Sequence, residues 1–242
     1  MELPISNIGL IKPAALESKE LFTKVKSFLK EAFGKDLTVS QHKALGYDIN
    51  FETQTKAEVH LLEDADSLVS LVFGVATRND GTSLETARFQ TFVDENNETV
   101  LKDVNFDLDT KEFVEVASEA VDDAKKAWGK ISEKANNGIF EQLKNEPGTV
   151  TAQAFGDFCM PGGYQYCGQK CGKNGSAGGG GALLNKIDGC CYNHDYCYSQ
   201  YSTNRCDNCD KALISCVSNP INYAEDQSTA SAIILYFSTK CY

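Results

Sequence analysis

Between Ala14 and Phe33 the apolar residues Leu16, Leu21, Phe22, Val25, Phe28, Leu29 and Phe33 recur at helical spacing, which predicts one amphipathic helix. Beyond it the period drops to two. Tyr47/Ile49/Phe51, Val59/Leu61, Val69/Leu71/Phe73/Val75, Ala87/Phe89 and Val104/Phe106/Leu108 each alternate with polar residues. Turn-prone stretches such as "RNDGTS" and "DENNET" separate several of these runs. Successive short strands predict an antiparallel meander with one covered face. Helical spacing returns from Thr110 towards Lys144 through Phe113, Val116, Ala117, Ala120, Ala124, Trp128 and Ile131, with "NNG" at 136–138 as a break. "NEPGT" at 145–149 reads as a linker. Residues 1–148 are therefore expected to form an α+β domain, an antiparallel β-meander flanked by helices.

Cysteine usage sets the rest of the chain apart. All ten cysteines lie from Cys159 onward. An even number packed into one terminal region reads as a disulfide framework, so residues 149–242 are expected to form a second, disulfide-rich α-helical domain. Charge divides at the same place. Residues 1–150 hold 17 Lys/Arg against 27 Asp/Glu, and residues 151–242 hold 6 against 7, within a net charge of −11. No basic stripe is present, which argues against nucleic acid as a partner. Neutral lipid surfaces stay compatible with this balance.

The opening "MELPISNIGLIKPAALESKELF" has no basic segment followed by an apolar core, so it is not read as a signal peptide. No apolar run approaches the ~18 residues that span a bilayer. Within residues 1–148 no catalytic constellation stands out. His42 and His60 are read as structural, and the acidic residues as a solvated face.

The chemistry concentrates in "GCCYNHDYCY", residues 189–198. On a helix with about 100° per residue, Cys190, Cys191, His194, Asp195, Cys197 and Tyr198 fall within an arc of about 160°. The later phrase "CDNCDKALISC", residues 206–216, behaves likewise, with Cys209, Asp210, Leu213 and Cys216 on one face. Two helices with so short a connection run antiparallel. Cys190 with Cys216 and Cys197 with Cys209 then have equal sums of residue numbers, the condition for equal height, so two disulfides in ladder register are available. His194 and Asp210 lie about half a turn from level, which brings the carboxylate within reach of the imidazole. An imidazole fixed by a buried carboxylate through one nitrogen can accept a proton at the other, as a general base. Upstream, "YQYCGQKCGKNGSAGGGG" at 164–181 is rich enough in glycine to turn carbonyl oxygens inward. Such carbonyls, together with a carboxylate such as Asp195, are ligands that Ca²⁺ accepts.

These residues resemble a known family. C-C-x-x-H-D-x-C-Y, here Cys190, Cys191, His194, Asp195, Cys197 and Tyr198, is similar to the active-site helix of the secreted phospholipases A2. C-D-x-x-x-x-x-C, here Cys209, Asp210 and Cys216, resembles the family's second catalytic helix. Y-C-G, here Tyr166, Cys167 and Gly168, resembles the start of its calcium loop, and Asp188 fits as well. The resemblance covers roughly residues 159–242. It implies Ca²⁺-dependent hydrolysis of the sn-2 ester of glycerophospholipids by a secreted enzyme acting peripherally at a phospholipid membrane surface. His194 would be the base, Asp210 its orienting carboxylate and Tyr198 a hydrogen-bond partner of Asp210. Asp195 with carbonyls of Tyr166, Gly168 and Gly172 would hold the metal. The pairs Cys167–Cys191, Cys190–Cys216 and Cys197–Cys209 are also implied, whereas the pairing of Cys159, Cys171, Cys206 and Cys241 is left open.

The chain departs from the family's pattern in several places. Lys170 stands where the family has glycine, the loop from Cys167 to Cys190 is longer, the hairpin between the helices is absent, and the family's further supporting tyrosine has no counterpart. Nothing in residues 1–150 matches the family. Two other readings compete. Cys206-x-x-Cys209 could join other thiols around zinc. Alternatively, the chain could be a precursor from which a disulfide-rich membrane-active toxin or antimicrobial peptide without turnover is released near residue 150.

Overall fold

The computed structural model describes residues 5–50, 54–137, 160, 162–168, 171 and 180–242. Phe51, the "NEPGT" segment, Cys159, Lys170 and Gly172 lie outside the described residues, as does the expected domain boundary at 148/149. Seven strands, β1 (Ile5–Ile11), β2 (Gln41–Asn50), β3 (Gln54–Asp64), β4 (Val69–Arg78), β5 (Ser83–Glu95), β6 (Glu98–Phe106) and β7 (Phe113–Val121), form one sheet in sequence order. Every neighbouring pair is antiparallel, so the expected meander is present. The "DENNET" turn is a two-residue hairpin loop. Asn96 and Asn97 both take positive φ, 53° and 66°, between the paired Glu95 and Glu98, as a type I′ turn requires.

Helix α1 (Glu20–Phe33) covers one face of this sheet. Leu21, Phe22, Val25 and Leu29 are buried at helical spacing, and they share a core with Leu71, Phe73, Val75, Ala87, Phe89 and Val104. Its first turn is capped from the sheet, where Glu85 Oε2 accepts from Leu21 N at 3.0 Å. The carboxylate thereby satisfies one of the donors that a helix start leaves orphaned. Gly34, at φ 68°, closes the other end in the left-handed conformation that glycine tolerates.

The expectation of one covered face does not hold. Leu45, Tyr47, Val59, Leu61, Val72 and Ala76 point to the opposite face and are equally buried. The reason lies in the alternate positions of the strands, which are apolar too: β4 has eight consecutive buried residues. What covers this second face is the C-terminal region: α3 (Lys186–Gln200), α4 (Lys211–Ser218), the short α5 (Pro220–Tyr223) and α6 (Gln227–Cys241). Ile187, Cys190, Leu213, Tyr223, Leu235 and Tyr236 belong to the same core cluster as the strand residues. Buried polar contacts lock the two regions together. Tyr47 Oη donates to Ala232 O at 3.1 Å and Gln227 Nε2 to Gln90 Oε1 at 3.0 Å.

Helix α6 lies at the centre of this arrangement. Eleven of the twelve residues from Gln227 to Ser238 are buried, the pattern of a helix surrounded by protein on all sides. Gly74 on β4 makes room for it: a Cβ there would sit 3.3 Å from Leu235 Cδ2 and against Thr86 Oγ1.

Two further expectations are corrected. The helical spacing from Thr110 holds, among the described residues, only in α2 (Ala124–Asn137), because Phe113–Val121 form strand β7. Val116, Ala117 and Ala120 keep the helical spacing, and the strand accommodates it with a register shift between Val104↔Glu115 and Asp103↔Ala117. Pairing with β6, from Phe106↔Phe113 to Thr99↔Val121, decides for the strand. Strand β1, which sequence periodicity did not mark, pairs along β2 at the other edge. His42 and His60 take structural places: His42 Nε2 lies 3.0 Å from His60 Nδ1, and the fully buried His60 reaches Glu58 Oε2 at 3.0 Å through Nε2.

Candidate active site

Helix α3 begins at Asn185, whose side chain accepts from Asp188 N at 3.0 Å. The Asp188 carboxylate, wholly buried, faces back towards the preceding loop. It accepts from Gln165 N, Tyr166 N and Leu184 N at 3.1, 2.8 and 3.0 Å. With the Cys167–Cys191 disulfide these bonds pin the Tyr166–Gly168 turn beside α3. Gly168, at φ 134°, has a backbone that other residues rarely adopt, and its N–H closes back on Tyr166 O at 3.1 Å.

The two expected ladder disulfides are formed: Cys190–Cys216 and Cys197–Cys209 clamp α3 to the second helical segment. Cys206 pairs with Cys241 and Cys171 is also disulfide-bonded, so among the described residues no cysteine is free. The zinc reading of Cys206-x-x-Cys209 fails on this pairing. The described residues contain one further cluster with metal-ligand spacing, Cys206, Asp210 and Cys241. Its sulfurs are joined to each other, and its carboxylate is occupied by hydrogen bonds, so it offers no ligand set.

Residues Cys206–Asp210 form a turn of π-helix that runs directly into α4, a feature nothing in the sequence announced. Such local widening of a helix is often found at functional sites. Asp210 ends that turn with its carboxylate fully buried. Its Oδ1 lies 2.8 Å from His194 Nε2 and accepts from Tyr198 Oη at 2.5 Å. Its Oδ2 accepts from Lys240 Nζ at 2.6 Å. Burial pushes the Asp210 carboxyl up. The hydrogen bonds from His194, Lys240 and Tyr198 outweigh that effect and hold it below the usual carboxylate range. An ionised carboxylate can only accept, so the proton on the facing side of the imidazole belongs to Nε2, and Nδ1 is left as an acceptor.

Two aromatic rings pack against the ring of His194. Tyr198 lies at 4.2 Å between centroids, and Phe237 from α6 meets it edge-on at 4.8 Å. Tyr198 is itself fixed by Arg205, whose guanidinium stacks on its ring at 4.4 Å. Burial, followed by the bond to Asp210, keeps the Tyr198 phenol far above the ordinary tyrosine range, so it remains a donor.

Asp195, the next residue along α3, is in a different situation. Among the described residues nothing donates a hydrogen bond to its carboxylate. Burial, and then the negative charge of Asp188, push its carboxyl up to about 7. A half-buried carboxylate under the influence of a second negative charge is electrostatically suited to a cation. The expected ligands Asp195 and Tyr166 therefore come from α3 and from the turn tied to it. Gly168 belongs to that same turn, and Gly172 is outside the described residues.

Three participants escaped sequence reasoning: Lys240, Phe237 and Arg205. Lys240 had one signal, its place beside Cys241. Pairing Cys241 with Cys206 sets it against the residue four positions after Cys206, which is Asp210. Among the described residues no helix is long and apolar enough to cross a membrane. Compared with known proteins, the chain matches no family model, no curated protein and no solved structure.

Proposed function

We propose that the chain is a phospholipase A2, a calcium-dependent hydrolase of the sn-2 ester of glycerophospholipids that acts from a lipid surface. The observation that carries this reading is the His194–Asp210–Tyr198 cluster, held between two disulfide-clamped helices, with the Asp195 carboxylate, which has no hydrogen-bond donor among the described residues, next along α3. Asp210 fixes the tautomer and the plane of the imidazole. His194 Nδ1 then takes a proton from water, and the water oxygen adds to the ester carbonyl. Collapse of the tetrahedral intermediate breaks the bond to the sn-2 alcohol oxygen, which recovers the proton from the imidazolium. A fatty acid and a lysophospholipid result. Asp195 with the Tyr166 and Gly168 carbonyls would hold Ca²⁺, which when bound polarises the ester carbonyl and stabilises its negative charge.

Docking on lipid is supported by large side chains left in solvent around α3. Leu183, Leu184, Tyr192 and Tyr196 are 51, 49, 48 and 64% exposed. The disulfides favour an oxidising, extracellular setting. The shared core between sheet and α6 weighs against the alternative of a peptide released near residue 150.

The test is release of fatty acid from the sn-2 position of phosphatidylcholine vesicles, with Ca²⁺ or with EGTA, by wild type and His194→Gln. Calcium-dependent release that the substitution abolishes is expected. Absence of release by the folded wild type on several lipids would remove the catalytic reading.

A further inference from the structure

Lys240 is a residue that no motif marked, yet it donates to both Asp210, the partner of His194, and Tyr198. We propose that Lys240 is a positioning residue of this site: by holding Asp210 it holds the imidazole in the orientation that proton transfer needs. The inference rests on the hydrolase reading above and adds a residue to it.

Asp210 Oδ1 is shared by His194 and Tyr198, but Oδ2 receives from Lys240 Nζ at 2.6 Å. The same ammonium donates to Tyr198 Oη at 2.5 Å. A carboxylate held at one oxygen alone can turn about its last torsion, which is broad and roughly two-fold. Held at both oxygens, its plane is set, and with it the direction from which His194 Nε2 is engaged. Lys240 also donates to the oxygen of Tyr198, so one cation holds both Asp210 and the phenol that shares its Oδ1 with His194. Its side chain is 27% exposed and the carboxylate is 0% exposed, so the contact is shielded from water.

The helix that carries Lys240 is itself anchored at several points. Cys241 is tied to Cys206 on the π turn, four residues before Asp210. One turn earlier, Phe237 packs on the His194 ring. Further back, Leu235 rests in the space left by Gly74 on the sheet. Helix α6 thus brings two side chains to the site, one against the imidazole and one against its carboxylate.

A role confined to folding would also use a cation beside a buried carboxylate. The two are separated by kinetics in the full chain, on phosphatidylcholine vesicles with Ca²⁺. If Lys240 positions Asp210, Lys240→Met lowers kcat by about tenfold or more with KM within about twofold, and Lys240→Arg restores most of kcat. In an Asp210→Asn background Lys240→Met costs nothing further, because the residue through which it acts is already changed. Thermal melts accompany each variant, and if Lys240→Met does not fold, Lys240→Gln is read by the same criteria. A kcat within about twofold of wild type, or an equal loss in the presence and absence of Asp210, overturns the positioning role. An inactive wild type overturns the hydrolase reading and this role together, whereas an active wild type with an indifferent variant overturns this role alone.

Discussion

Arg88 on strand β5 donates to the carbonyl of Ser218 at the end of α4, 2.6 Å away and 130 residues later in the chain. Its other nitrogens hold Asp103 at 2.8 Å, and its guanidinium covers the Tyr223 ring at 3.8 Å. Both charged residues are buried. Arg88→Ala leaves Asp103 buried with Gln90 as its remaining described donor, and the expected loss is about 3–5 kcal/mol. Urea unfolding measures it. A loss below about 1 kcal/mol would mean that the pair contributes no more than an exposed one.

The sheet and the C-terminal helices are expected to unfold as one unit. A chain beginning at Thr149 would expose the sheet-facing side of α6, including Leu235 and Tyr236, which are 0 and 3% exposed in the whole protein. Such a fragment should aggregate, or lack a cooperative melting transition by circular dichroism. A soluble fragment with a sharp transition would instead support an independent peptide.

Acid stability reports on Asp210. Its folded carboxyl lies below the usual value of about 3.9, so its contribution is complete at neutral pH and is lost as pH falls through the depressed folded value. Tyr198→Phe removes one of the donors responsible for the depression. The midpoint of acid unfolding, followed by circular dichroism, should therefore move to higher pH. An unchanged midpoint would show that the phenol does not stabilise the ionised carboxylate.

Asp195 has the opposite sign. With its folded carboxyl pushed up to about 7, ionisation costs stability progressively from the ordinary carboxylate range upward, and the cost is complete above pH 7. In EGTA, Asp195→Asn should melt higher than wild type by a margin that is larger at pH 8 than at pH 4. Ca²⁺ should raise the wild-type melting temperature more at pH 8 than at pH 5, and should not raise that of the variant. Equal effects of Ca²⁺ on both proteins would take Asp195 out of the metal site.

The amphipathic period of α1, the alternation in β2 to β6 and the "DENNET" turn were legible because each expresses a local repeat or a turn preference. So was the clamp of α3 on the second helix. Helical geometry alone puts Cys190, His194, Asp195 and Cys197 on one face, and the cysteine spacing of the two phrases agrees in register. The identity of Phe113–Val121 was not legible, since its apolar residues carry the helical spacing and only pairing along the edge of β6, with a shifted register, makes it a strand. Nor did the sequence reveal that α6 covers the second face of the sheet, because a helix buried all round shows no amphipathic stripe. Lys240 reaches Asp210 only when that helix is in place and Cys241 has found Cys206. The sequence alone therefore determined which residues share a helix face and which cysteines stand level. Only tertiary packing decided what lies across from Asp210, because that contact joins segments thirty residues apart whose relative position is set by a core shared with the sheet in the other half of the chain.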